Sequence, residues 1–343
     1  MRKKLLALID KHPLTLTLLV AVLLKLVAAI WTDGYIFDNK YFNYYKVPEV
    51  LLSSPWIVFV NRLIFGAFSL LIITIGYRIV KIISDRKTAL EIAILLAFYW
   101  FMPYVTVHPL PQMVCIPFLL YGTLLIVKQD YLISNNDTEK FHRTSFIIAG
   151  FFLGLGFAAW YQCILFCAGI LIALMVMKNR KGALMTAIGF IIAVCITQII
   201  PDLFIWHRPF VNMMNFFRSS GEYLSSFDPI VFYECNGLLY VIIALLIPMN
   251  ILLLFGFFRM WRKHLLIFLP TFLFLLFYMI FPNPQPLYIL PVLPFLIISG
   301  YIGWKDYYKN SKFWDKKYWL LLTIYLVFVV LNISLMVATF VLY

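Results

Sequence analysis

Residues 14–31 read LTLTLLVAVLLKLVAAIW, an apolar run interrupted by one charge, Lys25. At 1.5 Å per residue it covers about 27 Å as a helix, close to the thickness of a bilayer's hydrocarbon core. It is too long for the apolar stretch of a cleaved signal peptide, and no small-residue cleavage pattern follows it. It therefore reads as a retained first transmembrane helix, and the rest of the chain repeats its pattern. Apolar runs at 56–80, 88–107, 110–128, 145–159, 161–177, 182–201, 236–257, 264–281, 286–303 and 318–341 bring the expected spans to eleven, with the short fifth and sixth nearly continuous. Residues 1–343 read as a single all-α polytopic transmembrane domain.

Composition agrees. The 343 residues are 64% hydrophobic and 13% charged, with a mean hydropathy of +0.93, which excludes an ordinary soluble domain. A net charge of +13 would suit nucleic acid if the basic residues formed a patch, but they gather at the ends of the apolar runs. With the N-terminus inside, 22 of the 28 Lys and Arg fall in inner connections, among them Arg2–Lys4, Arg78–Lys87, Lys178–Lys181, Arg259–Lys263 and Lys305–Lys317. Eleven spans then leave the C-terminus outside. Five cysteines form no CxxC pair; Cys163 and Cys167 share a helical face, as packing residues commonly do.

The carboxylates follow a different distribution. Asp33, Asp38, Glu49, Asp202, Glu222, Asp228 and Glu234, seven of the fifteen, fall in two expected outer loops, residues 32–55 and 202–235. Both loops are also aromatic. Carboxylates among aromatics at a bilayer surface suit a sugar or a phosphate-metal pair, and they equally suit an interfacial loop with Trp and Tyr anchors. The remaining outer connections are short, so the two loops are expected to pack together as one outward-facing site. No Gly-rich phosphate cradle, HExxH helix or Ser/His/Asp order occurs, and the short basic inner connections leave no room for a nucleotide-binding fold. A donor already in the membrane fits such a site better than a soluble nucleotide sugar.

Several segments, in order, carry a resemblance: GYIFDNKYF after the first span, NRLIFGAFSLLIITIGYRI in the second, GLGFAAWYQCILF, PDLFIWHRPF, NFFRSSGEYLSSFDPIVFY and PNPQPLYILPVLPFLII. From about residue 20 to 303 the chain resembles the GT-C class of membrane glycosyltransferases, in particular the mannosyltransferases of the GPI and lipid-linked oligosaccharide type and their bacterial relatives. The resemblance implies transfer of a sugar, mannose among the candidates, from a polyprenyl-phosphate donor to a lipid-linked or surface glycan acceptor, with inversion. It implies Asp38 as the base that accepts the acceptor's proton, with Asp33 as second choice. Three departures accompany it. Phe37, Asp38, Asn39 and Lys40 stand where the family's first loop reads His-Pro-Asp-Glu, His108 and Gln112 stand for Arg and Glu, and Asn283–Tyr288 replace a charged late motif. They fit an altered donor head group, and they fit a scaffold that has lost its chemistry.

The remaining candidates are substrate-binding. Arg62, six residues inside the second span, must face the bundle or snorkel outward, because an unpaired charge there is costly; Lys25 invites the same reasoning. His108 and Gln112 bracket two prolines in VHPLPQ and suit a phosphate contact or a structural turn. Tyr161 and Gln162, with Trp160, suit sugar stacking and hydrogen bonding or an aromatic belt. Asp202 is a sugar ligand, a metal ligand or a loop cap. His207 and Arg208 follow it, and Arg208 can grip a lipid phosphate in bidentate fashion or pair with Asp202 or lipid head groups. No cofactor is fixed; a divalent metal is compatible with the loop carboxylates. The expected partners are the donor, the acceptor and membrane lipids, without nucleic acid, and compact loops favour a bacterial inner membrane. The competing reading is a flippase or transporter of lipid-linked glycans, or an inactive GT-C-like assembly protein. Transporters favour ionisable groups near the midplane, and here only Lys25 and Arg62 lie within spans.

Overall fold

The structure is a computed structural model that describes residues 13–31, 55–134, 143–225, 248–280 and 286–342. It is all helical, with no strand among the described residues. In chain order the helices are α1 (Pro13–Trp31), α2 (Pro55–Ile83), α3 (Arg86–Phe98), α4 (Met102–Val105), α5 (Pro111–Ser134), α6 (Arg143–Ala159), α7 (Ile164–Val176), α8 (Arg180–Trp206), α9 (Val211–Ser225), α10 (Pro248–Arg259), α11 (Leu265–Ile280), α12 (Leu293–Lys309), α13 (Lys312–Lys316) and α14 (Tyr318–Leu342). Proline opens α1, α2, α5 and α10, where its missing N–H costs nothing and its fixed φ already suits a helix.

Among the described residues, six helices are long and apolar enough to cross a bilayer: α1, α2, α5, α8, the stretch Tyr288–Lys309 that contains α12, and α14. Shorter apolar helices occupy Arg143–Ala159, Tyr161–Val176, Met249–Arg259 and Leu265–Tyr278. Large apolar side chains are exposed along them, including Leu19, Leu23 and Ile30 on α1 and Leu322, Leu326 and Val330 on α14. Only lipid makes that exposure favourable, and the chain is an integral membrane protein.

Two compact units emerge, residues 1–114 with 317–343, and residues 115–316. In the first, α1, α2, α3 and α4 pack on one another. The expected third span, 88–107, is interrupted. Helix α3 stops at Phe98, Tyr99 turns extended, and the four-residue α4 follows with Pro103 in its first turn. Asn332 of α14 bridges the break, its Nδ2 donating to Phe98 O at 2.5 Å and its Oδ1 accepting from Trp100 N at 2.9 Å. Backbone groups freed inside a membrane need such partners.

In the second unit α6 packs on α8, α7 on α11, and α10 on α12. The α6–α8 approach depends on missing side chains: a Cβ at Gly150 would overlap the carbonyl of Thr186, and one at Gly189 the carbonyl of Ile147. Helix α8 is regular over Arg180–Val194, widens into a π-turn over Cys195–Ile199 and resumes over Ile200–Trp206. The expected second outer loop is helical through its described part except for the turn at 207–210, as the end of α8 and then α9.

Candidate functional site

Three groups of candidate residues take shape, each within one unit. Asp33 and Asp38, the expected bases, lie outside the described residues, as does most of the 32–55 loop.

The first group belongs to the unit formed by residues 1–114 and 317–343. Lys25, on α1, is 7% exposed. Its Nζ donates to Ser69 Oγ of α2 at 2.6 Å and to Thr106 Oγ1 beside α4. Both hydroxyls spend their own hydrogens on backbone carbonyls, Ser69 on Gly66 O at 2.7 Å and Thr106 on Met102 O at 2.6 Å. The hydroxyl oxygens are therefore free to accept, and one amine ties three helical segments together. One turn along α1, Arg62 of α2 donates from Nη1 to Ala29 O at 3.3 Å and is also buried. Arg62 thus faces the bundle. His108 is buried in the turn after α4; its Nδ1 lies 2.9 Å from Tyr104 O, and its ring packs against the Tyr104 ring with centroids 4.5 Å apart. A carbonyl only accepts, so Nδ1 carries the proton in this geometry. Gln112 is buried in the first turn of α5.

The second group lies in the unit formed by residues 115–316, at the end of its helices away from the basic connections Lys178–Lys181 and Arg259–Lys263. The chain leaves α6 at Ala159, extends at Trp160 (φ −151°, ψ 102°), and makes a 3-10 turn over Tyr161–Cys163 into α7. Tyr161 donates its hydroxyl to Gln198 Oε1 at 2.6 Å, a contact to the π-turn of α8. Tyr278 of α11 donates its hydroxyl to Gln162 Oε1. Tyr288, in the 3-10 stretch Pro286–Val292 before α12, places its ring 5.9 Å from Trp160 and 5.5 Å from Tyr278. The Tyr161 ring packs against Phe157 and Phe216 at 5.4 and 5.0 Å. Trp160 Nε1 is buried without a partner among the described residues.

The third group is the α8–α9 turn. Asp202 is 1% exposed, and both its oxygens serve Asn212: Oδ1 accepts from Nδ2 at 2.6 Å and Oδ2 from the backbone N–H at 3.2 Å. Of the three roles open to Asp202 in the sequence, the contacts are those of a cap, since the second residue of α9 is the one whose N–H a capping carboxylate takes. The turn between is tight, with His207 at φ 54° and Phe210 at φ 62°, and it leaves His207 and Arg208 exposed. Asp202 does not pair with Arg208. Phe204, 79% exposed, and Trp206 flank the turn.

The profile of the Alg9-like mannosyltransferase family matches residues 12–343. The chain belongs to that family. It is a membrane glycosyltransferase of the GT-C class, as the resemblance of its segments implied. Comparison with curated proteins and with solved structures matches nothing to it. Within the Alg9-like family frame, the buried candidates of the first unit include the cations Lys25 and Arg62 and a histidine, whereas the Trp160 group of the second unit consists of neutral amides and aromatic rings. Asp202, His207 and Arg208 stand apart from that group, in the α8–α9 turn. Ser69, Thr106, Gln198, Tyr278 and Asn212 were not singled out from sequence, and Tyr288 appeared there only as part of the late motif that departs from the family pattern. A polar residue inside an apolar run was the available signal for Ser69 and Gln198; the tyrosines are lost among 21 of their kind.

Proposed function

We propose that this Alg9-like glycosyltransferase moves a mannosyl group from a polyprenyl-phosphate donor to a lipid-linked or surface glycan, with inversion, at the outer face of a bacterial inner membrane. The observation that carries the reading is the family match over residues 12–343. The reaction breaks the bond between the sugar's anomeric carbon and the phosphate oxygen, whose electron pair leaves with the lipid phosphate. The bond to the acceptor oxygen forms from the opposite face as Asp38, with Asp33 as the alternative, takes the acceptor's proton. Arg62, His108 and Gln112 are the candidate phosphate contacts of the first unit, and the exposed His207 and Arg208 those of the second. Tyr161 and Gln162 contact sugar, and Asp202 holds the turn that presents His207 and Arg208.

The proposed topology is eleven spans, N-terminus inside and C-terminus outside. The lysine and arginine distribution supports it. A divalent ion on the donor phosphate would draw on loop carboxylates such as Asp33 and Asp38; among the described residues no three His, Cys, Asp or Glu converge.

The test is transfer by the purified protein in lipid, from a panel of labelled polyprenyl-phosphate sugars to extracted lipid-linked acceptors, wild type against Asp38→Asn. Transfer from the mannosyl donor that disappears in the variant is the expected result. Transfer that survives moves the base to Asp33. Folded protein inactive with every donor overturns the reading.

A further inference from the structure

The Trp160 end of the second unit holds more hydrogen-bond donors than the protein uses. Gln162 and Gln198 each spend the side-chain oxygen on a tyrosine hydroxyl. Neither side-chain nitrogen has a partner among the described residues, and Trp160 Nε1 is buried without one. A buried N–H left unpaired costs about 1–3 kcal/mol, so a structure that keeps one invites an explanation outside its own side chains. The π-turn over Cys195–Ile199 is a second irregularity at the same place. Such turns insert an extra residue into a helix and occur often at functional sites; this one carries Gln198 to Tyr161.

The rings complete the chemistry. Trp160 and Tyr288 are partly exposed and tilted 37° to each other, and the buried Tyr278 backs Tyr288 at 46°. Aromatic faces with amide and indole donors at their edges match a pyranose, which offers an apolar C–H face and a rim of hydroxyl oxygens. None of the five polar or aromatic members, Trp160, Gln162, Gln198, Tyr278 and Tyr288, carries a charge. A sugar phosphate needs cations; the buried cations Lys25 and Arg62 belong to the other unit, and the exposed Arg208 of this unit stands in the α8–α9 turn, outside these five.

We propose that Trp160, Tyr288 and the amides of Gln162 and Gln198 form the subsite for the acceptor glycan, in which a phosphate-free pyranose stacks on the rings while Trp160 Nε1–H donates to one of its hydroxyls. The inference rests on the glycosyl-transfer reading and deepens it, because it sorts the two substrates by charge. Tyr278 holds Gln162 in place from behind.

The experiment is saturation-transfer NMR on the full chain in lipid nanodiscs, with mannotriose and, separately, mannose 1-phosphate as probes. Mannotriose binds wild type. Trp160→Phe, which keeps a ring and removes the N–H, weakens it about tenfold, the equivalent of 1.4 kcal/mol, and Tyr288→Ala weakens it further. Tyr288→Phe, which keeps the stacking face, binds more tightly than Tyr288→Ala, and an unfolding midpoint of the alanine variant close to wild type separates loss of stacking from misfolding. Absence of mannotriose binding to wild type overturns the proposal. So does binding indifferent to Trp160 and Tyr288, or a Trp160 dependence seen with mannose 1-phosphate alone, which would make this the donor's place. Transfer assays separate the two readings: Trp160-dependent binding without transfer by wild type strikes the proposed reaction, and transfer with Trp160-independent binding strikes the subsite.

Discussion

The two buried polar clusters solve the same problem in opposite ways. Around Lys25 a potentially charged group lies inside a membrane helix, and every neighbour is arranged to serve it: two hydroxyls accept from it, and each spends its own hydrogen on a carbonyl of its own helix. Around Trp160 every group is neutral, and the donors exceed the acceptors. A buried charge without partners is far more costly than a buried neutral donor without one, so the first cluster has to be complete in the resting protein while the second tolerates a gap. The complete cluster reads as architecture and the incomplete one as a place for a ligand.

That contrast is broken most severely at Lys25. Replacing both acceptors, Ser69→Ala with Thr106→Val, strands the amine and lowers stability by about 3 kcal/mol, measured by thermal or denaturant unfolding in detergent. Lys25→Met, which keeps the stem and removes the polar head, costs less than about 1 kcal/mol. If the single Lys25 change proved the more damaging of the two, the cluster would be serving something other than the helices it joins.

His264 sharpens the comparison with a titratable group outside both clusters. It sits in the connection before α11, where burial first, and the neighbouring Lys263 charge second, lower its pKa from 6.5 to about 4, against a smaller opposing effect of Asp306. Because the unfolded chain takes up the proton at higher pH than the folded one, the stability present above pH 6.5 is lost as pH falls towards 4. The loss is about 2 kcal/mol, discounted for partial exposure, and it shows as a falling unfolding midpoint across that window. His264→Gln flattens the window.

Smaller again is the turn on Asp202. Asn212→Ala removes one of its two hydrogen bonds and costs about 1–2 kcal/mol, read from the unfolding midpoint. Trp160→Phe is the least damaging to stability, less than about 1 kcal/mol by the same measurement, because the N–H it deletes has no partner among the described residues to lose. The ordering matters more than any one value, since a large stability loss at Trp160 would put both clusters in the same class.

Much of the helical framework is legible along the chain because a bilayer is an undemanding solvent to read. Ten of the expected apolar runs hold apolar helices, through their described parts where the run is only partly described, as length and hydropathy alone require. The eleventh, 88–107, misled for a physical reason: apolar residues flank the break at Tyr99–Phe101 on both sides, and the groups that make the break tolerable come from Asn332, more than 230 positions away. The helical form of residues 211–225 was equally hard to see, because α9 is a mixture of polar and aromatic residues with no long apolar run.

For the candidate site, Tyr161 and Gln162 were visible as a polar-aromatic pair at a helix junction, and Arg62 as a charge inside a span. Their partners were not. Gln198, Tyr278 and Tyr288 lie 36 or more positions from Gln162, and no local pattern around them announces that they meet it or its neighbours. Asp202 was visible as an acid at a span's end, but its partner Asn212 decides that both oxygens are occupied.

The sequence by itself determined the solvent, the helices and the family, because hydropathy and segment order are properties of contiguous stretches. Only the tertiary structure decided which polar groups are spent and which are left over. That accounting depends on pairs such as Lys25 with Thr106 and Gln162 with Tyr278, which helix packing brings within hydrogen-bonding distance and which no local pattern of residues announces.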